Sequence, residues 1–145
     1  MAVVIEQRVR TAGSPAAVFA YLHDPGQRAD WDVSSDAATL EPDTPGVGAR
    51  LQLRGHRTAP SWVGEYTVYE PPRRSSLRLV DGAGMPFTSF VQSLSVTRDG
   101  SGSMVEIRLE YEPRGVVRLI EPLTLRSRLR KVTLRSLAKI RERFG

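Results

Sequence analysis

The chain contains no cysteine, which excludes a disulfide framework, a thiolate nucleophile and a cysteine-ligated metal. Histidine is nearly absent too. His23 and His56 are the only two, and neither has a neighbour at metal-ligand spacing, so no metal site is expected. There is no Gly-x-Ser-x-Gly elbow, and Gly100-Ser101-Gly102 reads as a turn that happens to contain serine. A P-loop and a dinucleotide fingerprint are missing as well, because Gly82-Ala83-Gly84 joins two strands instead of opening a helix. No cofactor is expected. No uninterrupted apolar run approaches the ~20 residues of a membrane-spanning helix. The N-terminus meets a charge at Glu6, too soon for a signal peptide, so a cytoplasmic location is expected. At 145 residues the chain has the length of one domain, residues 1–145, with a core of ordinary size.

What the chain has in excess is arginine. Of 21 basic residues 19 are Arg, and the net charge is +5. The excess is local: the segment Arg126–Arg143 carries eight basic residues against Glu142 alone, so the rest of the chain is near neutral. A solvated outer helix face accounts for this pattern. A weak contact with an anionic membrane surface through the Arg126–Arg143 helix stays open. Nucleic acid is not expected as a partner, since no aromatic side chain precedes Phe144 there to stack on bases.

Periodicity gives the order of elements. Residues 3–11 alternate as a strand with Val3, Ile5, Gln7 and Val9 on one face. Ser14 and Pro15 then form a helix start, and His23-Asp24-Pro25-Gly26 ends that helix. Residues 27–31 fit one more helical turn. Six strands follow, near 39–41, 49–56, 62–70, 75–81, 87–98 and 103–112, separated by proline- and glycine-rich turns. A long helix over 116–144 closes the chain, with Pro122 inside it as a kink. Val116, Ile120 and Leu123 share one face around the proline, whereas Leu125, Leu129, Val132, Leu137, Ile140 and Phe144 share another after it.

The remaining ionisable groups have unremarkable readings. His23 is expected to cap a helix C-terminus, where a cation is favoured, and His56 to lie at a solvated strand end. Glu106, Glu110 and Glu112 stand opposite an apolar set and are read as an outer face with Arg108. Asp30 and Asp32, on either side of Trp31, suit loop capping better than acid–base chemistry.

Four elements in order resemble a known family. Ser14-Pro15-Ala16-Ala17-Val18-Phe19, then Asp24-Pro25 and Trp31, are followed by Tyr69-Glu70-Pro71-Pro72-Arg73-Arg74. A hairpin at Asp99-Gly100-Ser101-Gly102 and an Arg-rich, proline-interrupted last helix complete the set. The chain is similar to the START-related superfamily often called SRPBCC, and within it to the polyketide cyclase/dehydrase-like branch. The resemblance implies an α+β helix-grip fold, in which a seven-stranded antiparallel sheet curls around the long C-terminal helix. It also implies a cavity between the two for a hydrophobic small molecule, lipid- or polyketide-like. The inward strand faces, mostly apolar with a few polar tips, suit such a cavity and by composition alone suit a closed core equally well. The expected lining is Gln7, Leu51, Leu53, Tyr66, Val68, Leu77, Leu79, Phe90, Gln92, Leu94, Ile107, Leu109, Tyr111 and Leu123. Trp31, Met85, Phe87 and Ile120 are expected at the mouth, framed by the 82–86 loop and the 116–121 segment. No catalytic residue stands out and binding is the expected function. The alternative is a polyketide cyclase or dehydratase that acts by orienting its substrate in the same cavity. Ligand identity and oligomeric state are not written in the sequence.

Overall fold

A computed structural model describes residues 2–145. β1 (Val3–Thr11) leads into α1 (Pro15–His23), a 3-10 turn at Pro25–Gln27 and α2 (Arg28–Trp31). Then come β2 (Ser35–Glu41), β3 (Arg50–Gly55), β4 (Trp62–Glu70), β5 (Arg74–Asp81), β6 (Phe87–Asp99) and β7 (Gly102–Pro113). The chain ends in α3 (Val117–Ile120) and α4 (Leu125–Phe144). The strands form one seven-stranded sheet in the order β1-β7-β6-β5-β4-β3-β2, antiparallel throughout. With α4 laid along its concave face against β1 and β7, this is a helix-grip fold.

The local chemistry of each boundary is visible. The Ser14 side chain accepts from the Ala17 N–H at 3.2 Å, and Pro15 occupies the first helical position. Asp24 caps the following turn by accepting from the Gly26 N–H at 3.0 Å. Two departures from the periodicity reading matter for the site. β2 begins at Ser35 instead of Thr39, because the Asp32 carboxylate orders residues 34 and 35 directly ahead of it. The expected continuous helix over 116–144 is two helices. Pro122 has no N–H to donate and its ring crowds the preceding turn, so residues 121–124 link α3 to α4.

The interior has two parts. The larger cluster includes Ile5, Val18, Phe19, Leu22, Leu94, Val96 and Val105 from α1 and the sheet, and Leu137 and Ile140 from the C-terminal half of α4. A smaller one, Leu40, Leu51, Leu53, Tyr66 and Leu77, lies between the strands of the β2 end of the sheet. Gly64 makes room for it: a Cβ there would lie 2.5 Å from Leu77 Cγ. The N-terminal half of α4 packs on neither cluster to the same depth, and a cavity opens beneath it.

Candidate functional site

The cavity measures about 600 Å³, within the range of small-molecule pockets. Its floor is the sheet, through Trp62 on β4, Phe90 and Gln92 on β6 and Ile107 and Leu109 on β7. Its roof is α4, through Leu125, Leu129 and Val132 with Thr133 and Ser136. These α4 residues recur every three or four positions and so share one side of the helix. Trp31, residues 56–60 and Met85–Phe87 form the sides.

The polar part of the wall is organised by one buried arginine. Arg28, 2% exposed, donates through Nε to Asp32 at 2.8 Å and through Nη2 to the Gln92 Oε1 at 2.6 Å. Its guanidinium lies 4.5 Å from the Trp31 ring centroid, a cation–π contact. Asp32 also accepts from the Ser34 N–H and hydroxyl at 3.1 and 2.6 Å and from the Ser35 hydroxyl at 3.0 Å. Burial alone would raise its pKa, but Arg28 and Ser34 outweigh this and hold the carboxyl below its ordinary range. Asp32 is therefore an ionised orienting group, not a proton donor. Because Gln92 spends its carbonyl on Arg28, its amide nitrogen is left on the cavity wall with no partner among the described residues. The Thr133 hydroxyl is likewise unpartnered, and the Trp31 indole N–H is buried without an acceptor.

Residues 2–145 match the family described as polyketide cyclase / dehydrase and lipid transport. The chain belongs to this family. No curated protein matches it in sequence. Among solved structures it is similar to major latex-like protein 151 from Panax ginseng, at 13% identity and a TM-score of 0.78, covering 100% of this chain and 99% of that one. XoxI from Bacillus cereus superposes with a TM-score of 0.75 at 14% identity over 98% of this chain and 95% of that one. Truncated norcoclaurine synthase from Thalictrum flavum gives 0.70 at 15% identity, over 97% and 91%. Identities this low speak for the fold alone.

Within this family member, Phe90, Gln92, Ile107 and Leu109 line the cavity, together with Trp31, Met85 and Phe87 at its sides. The other expected lining residues lie elsewhere. Leu51, Leu53, Tyr66 and Leu77 fill the smaller core cluster, and Leu79, Leu94 and Tyr111 belong to the larger one. Gln7 lies on the inner side of β1 with its Oε1 buried and unpartnered, away from the cavity. Val68 is displaced by a register shift between Tyr66 and Val68 that turns Tyr69 inward in its place. Two further expectations are corrected by exposure. Leu123, expected in the cavity, is 80% exposed, and Ile120, expected at the mouth, is 51% exposed. Neither lines the cavity, nor does any residue of 116–124. The break at Pro122 lets this segment turn outward, and Leu125 lines the cavity in place of Leu123.

Sequence reasoning missed the roof and the organiser. Leu125, Leu129 and Val132 had been assigned to one helix face, and extending that face to Ser136 would have located the roof. Arg28 carried no signal, because nothing marks one arginine of 19 as buried. The histidines also differ from expectation. His23 is not a cationic cap: it is buried, pairs through Nδ1 with the Phe19 carbonyl at 2.8 Å and through Nε2 with the Ser75 hydroxyl at 2.6 Å, and stacks on Phe19. Burial pushes its pKa down to about 4, so the ring is neutral. His56 is exposed as expected, pairs with Asp36 at 2.5 Å, and stands at the cavity mouth. Asp30 is exposed, and on the Glu106–Glu112 face Arg108 pairs with Glu6 and Glu110.

Proposed function

We propose that this protein binds a mostly apolar small molecule, lipid- or polyketide-like, in the cavity between the sheet and the N-terminal half of α4. The observation that carries this reading is the cavity of about 600 Å³, walled by aromatic and aliphatic side chains. The lining also includes His56, Arg57, Arg128 and Arg135, and among its polar groups the Gln92 amide and the Thr133 hydroxyl carry no partner among the described residues. A mostly apolar ligand would bury the aromatic and aliphatic part of this lining away from water. The two polar groups would then fix its orientation by donating to a carbonyl or phenolic oxygen.

A second reading, cyclisation or dehydration of a polyketide by orientation, is supported by the family's description. The structural neighbour norcoclaurine synthase, solved with a transition-state analogue, is an enzyme on the same fold. On this chain only Gln92 fits that role, as a donor that Arg28 holds in place. The ionisable groups fit poorly: Asp32 is ionised and fully hydrogen-bonded, His23 lies outside the cavity, and His56 is engaged by Asp36.

Native mass spectrometry of gently purified protein, paired with titration of a fluorescent polyphenol or fatty acid, tests the binding reading. Wild type is expected to carry or take up one molecule. Val132→Trp, which fills the void from α4, should abolish uptake with little change in thermal midpoint. Equal uptake by both proteins would remove the cavity as the site.

A further inference from the structure

The segment between the sheet and α4 presents an uncovered apolar stripe. Val116, Leu119, Ile120 and Leu123 are 79, 81, 51 and 80% exposed; Leu119 and Ile120 end the short helix α3, with Val116 just ahead of it and Leu123 in the turn that follows. Scattered exposed apolar residues need no explanation, yet here four large ones fall within eight positions. Val4, also exposed, adjoins them across a recess it shares with Arg118, Glu121 and Arg126.

Within residues 114–130 the exposed charges have one sign. Arg114 and Arg118 are exposed within it, and Arg126 and Arg130 follow on α4. The single acid of the stretch is withdrawn: Glu121 is 3% exposed and is held by the Tyr111 hydroxyl at 2.7 Å and by both ends of the Arg126 guanidinium fork. The outward surface is therefore apolar with a cationic margin. It also adjoins one side of the cavity, since the Arg114 N–H donates to the Pro86 carbonyl at 2.9 Å and its Nη2 to the Phe87 carbonyl at 3.3 Å.

We propose that the Val116–Leu123 stripe is a docking surface for an anionic lipid bilayer. Its apolar side chains would enter the headgroup boundary while Arg114 and Arg118 meet the phosphates. A second copy of this chain fits worse. A symmetric contact would set each stripe's arginines against their own images, and four side chains fall well short of the ~800 Å² per partner of a standard interface. Docking here would bring the Pro86–Phe87 side of the cavity toward the lipid surface, but it does not depend on what the cavity holds.

Vesicle flotation tests the proposal, with pure phosphatidylcholine and with an equimolar phosphatidylcholine–phosphatidylglycerol mixture. Wild type should float with the mixed vesicles, not with the neutral ones, and rising salt should weaken the association. An arginine near an anionic surface contributes about fivefold to partitioning, so Arg114→Ala with Arg118→Ala should cost on the order of tenfold or more. Leu119→Glu with Leu123→Glu should abolish flotation at an unchanged thermal midpoint, whereas Leu134→Glu, an exposed leucine on α4, should not. Emission from Leu119→Trp should shift to the blue on mixed vesicles. Flotation unaffected by the double glutamate variant, or equal on both vesicle types, would overturn the proposal. So would a solution dimer that Leu119→Glu disperses.

Discussion

The Tyr111 hydroxyl donates a 2.7 Å hydrogen bond to the Glu121 carboxylate, tying the last strand of the sheet to the residue ahead of Pro122. Arg126 closes the same carboxylate from the other side at 2.7 and 2.9 Å. Together they fix where α3 ends and how α4 enters. The Arg126 hydrogen bonds hold the Glu121 carboxyl below its ordinary pKa, and burial pushes the Tyr111 phenol up.

Tyr111→Phe should therefore cost about 1 kcal/mol, the net value of one hydrogen bond to a group that keeps its other partner. Glu121→Ala should cost more, because it strands a buried phenol. Since the Glu121 pKa is depressed on folding, its contribution is complete above the ordinary carboxylate pKa near 4.5 and fades as pH falls below it. Urea unfolding of the three proteins at neutral and acid pH measures both effects, and Glu121→Ala should flatten the acid limb.

His23 gives a second acid-sensitive element, in a different pH range. Its folded pKa of about 4 lies below the ordinary 6.5, so the unfolded chain binds a proton that the folded chain refuses. Stability is full above pH 6.5 and declines as pH falls toward 4, by about 3 kcal/mol in all. His23→Gln removes the titration, and its stability should change much less between pH 7 and pH 4.5 than that of wild type.

Replacing Arg28 should be costly. Arg28→Met would leave the Asp32 carboxylate buried and uncompensated, a loss on the order of 3–5 kcal/mol by chemical denaturation. It would also free Gln92 to rotate. Any ligand that uses the Gln92 amide should then bind more weakly to this variant than the change in stability explains.

The fold was legible because its signals are periodic and local. Alternation at Leu51/Leu53 and at Val105–Tyr111, the Ser14-Pro15 start and the glycine-rich turns each point to one element, and the elements in order point to one topology. The cavity was legible only in part. Inward alternation cannot separate a residue that packs against another from one that faces a void, which is why Leu77 and Phe90 look alike in sequence. Nor can it foresee the shift that exchanged Val68 for Tyr69. The stripe at Val116–Leu123 was legible as apolar, yet its direction was decided by the Glu121 anchor, a contact with a strand residue that no local pattern encodes.

Arg57 offers a prediction of opposite sign. Its φ of 55° puts a side-chain-bearing residue in the left-handed region, at a strain of about 1–2 kcal/mol. Arg57→Gly relieves the strain but loosens the unfolded chain, so the net gain should be under about 1 kcal/mol. It should appear as a raised thermal midpoint.

β1 is paired only with β7: Val3 faces Tyr111 and Thr11 faces Ser103. The Gly145 carbonyl accepts from the Ala12 N–H at 3.1 Å, and Phe144 packs edge-on against Tyr21. The first strand thus finds its neighbour only after the long stretch between Thr11 and Ser103 has been made, and the helix that roofs the cavity follows both strands in the chain. Folding of such a non-local topology is slow, and until α4 arrives the concave face of the sheet stands open. A hydrophobic molecule present during synthesis would meet that face before the roof closes over it. Loading during biosynthesis and loading of the finished protein are thus two distinct routes, and the architecture leaves the first one open the longer.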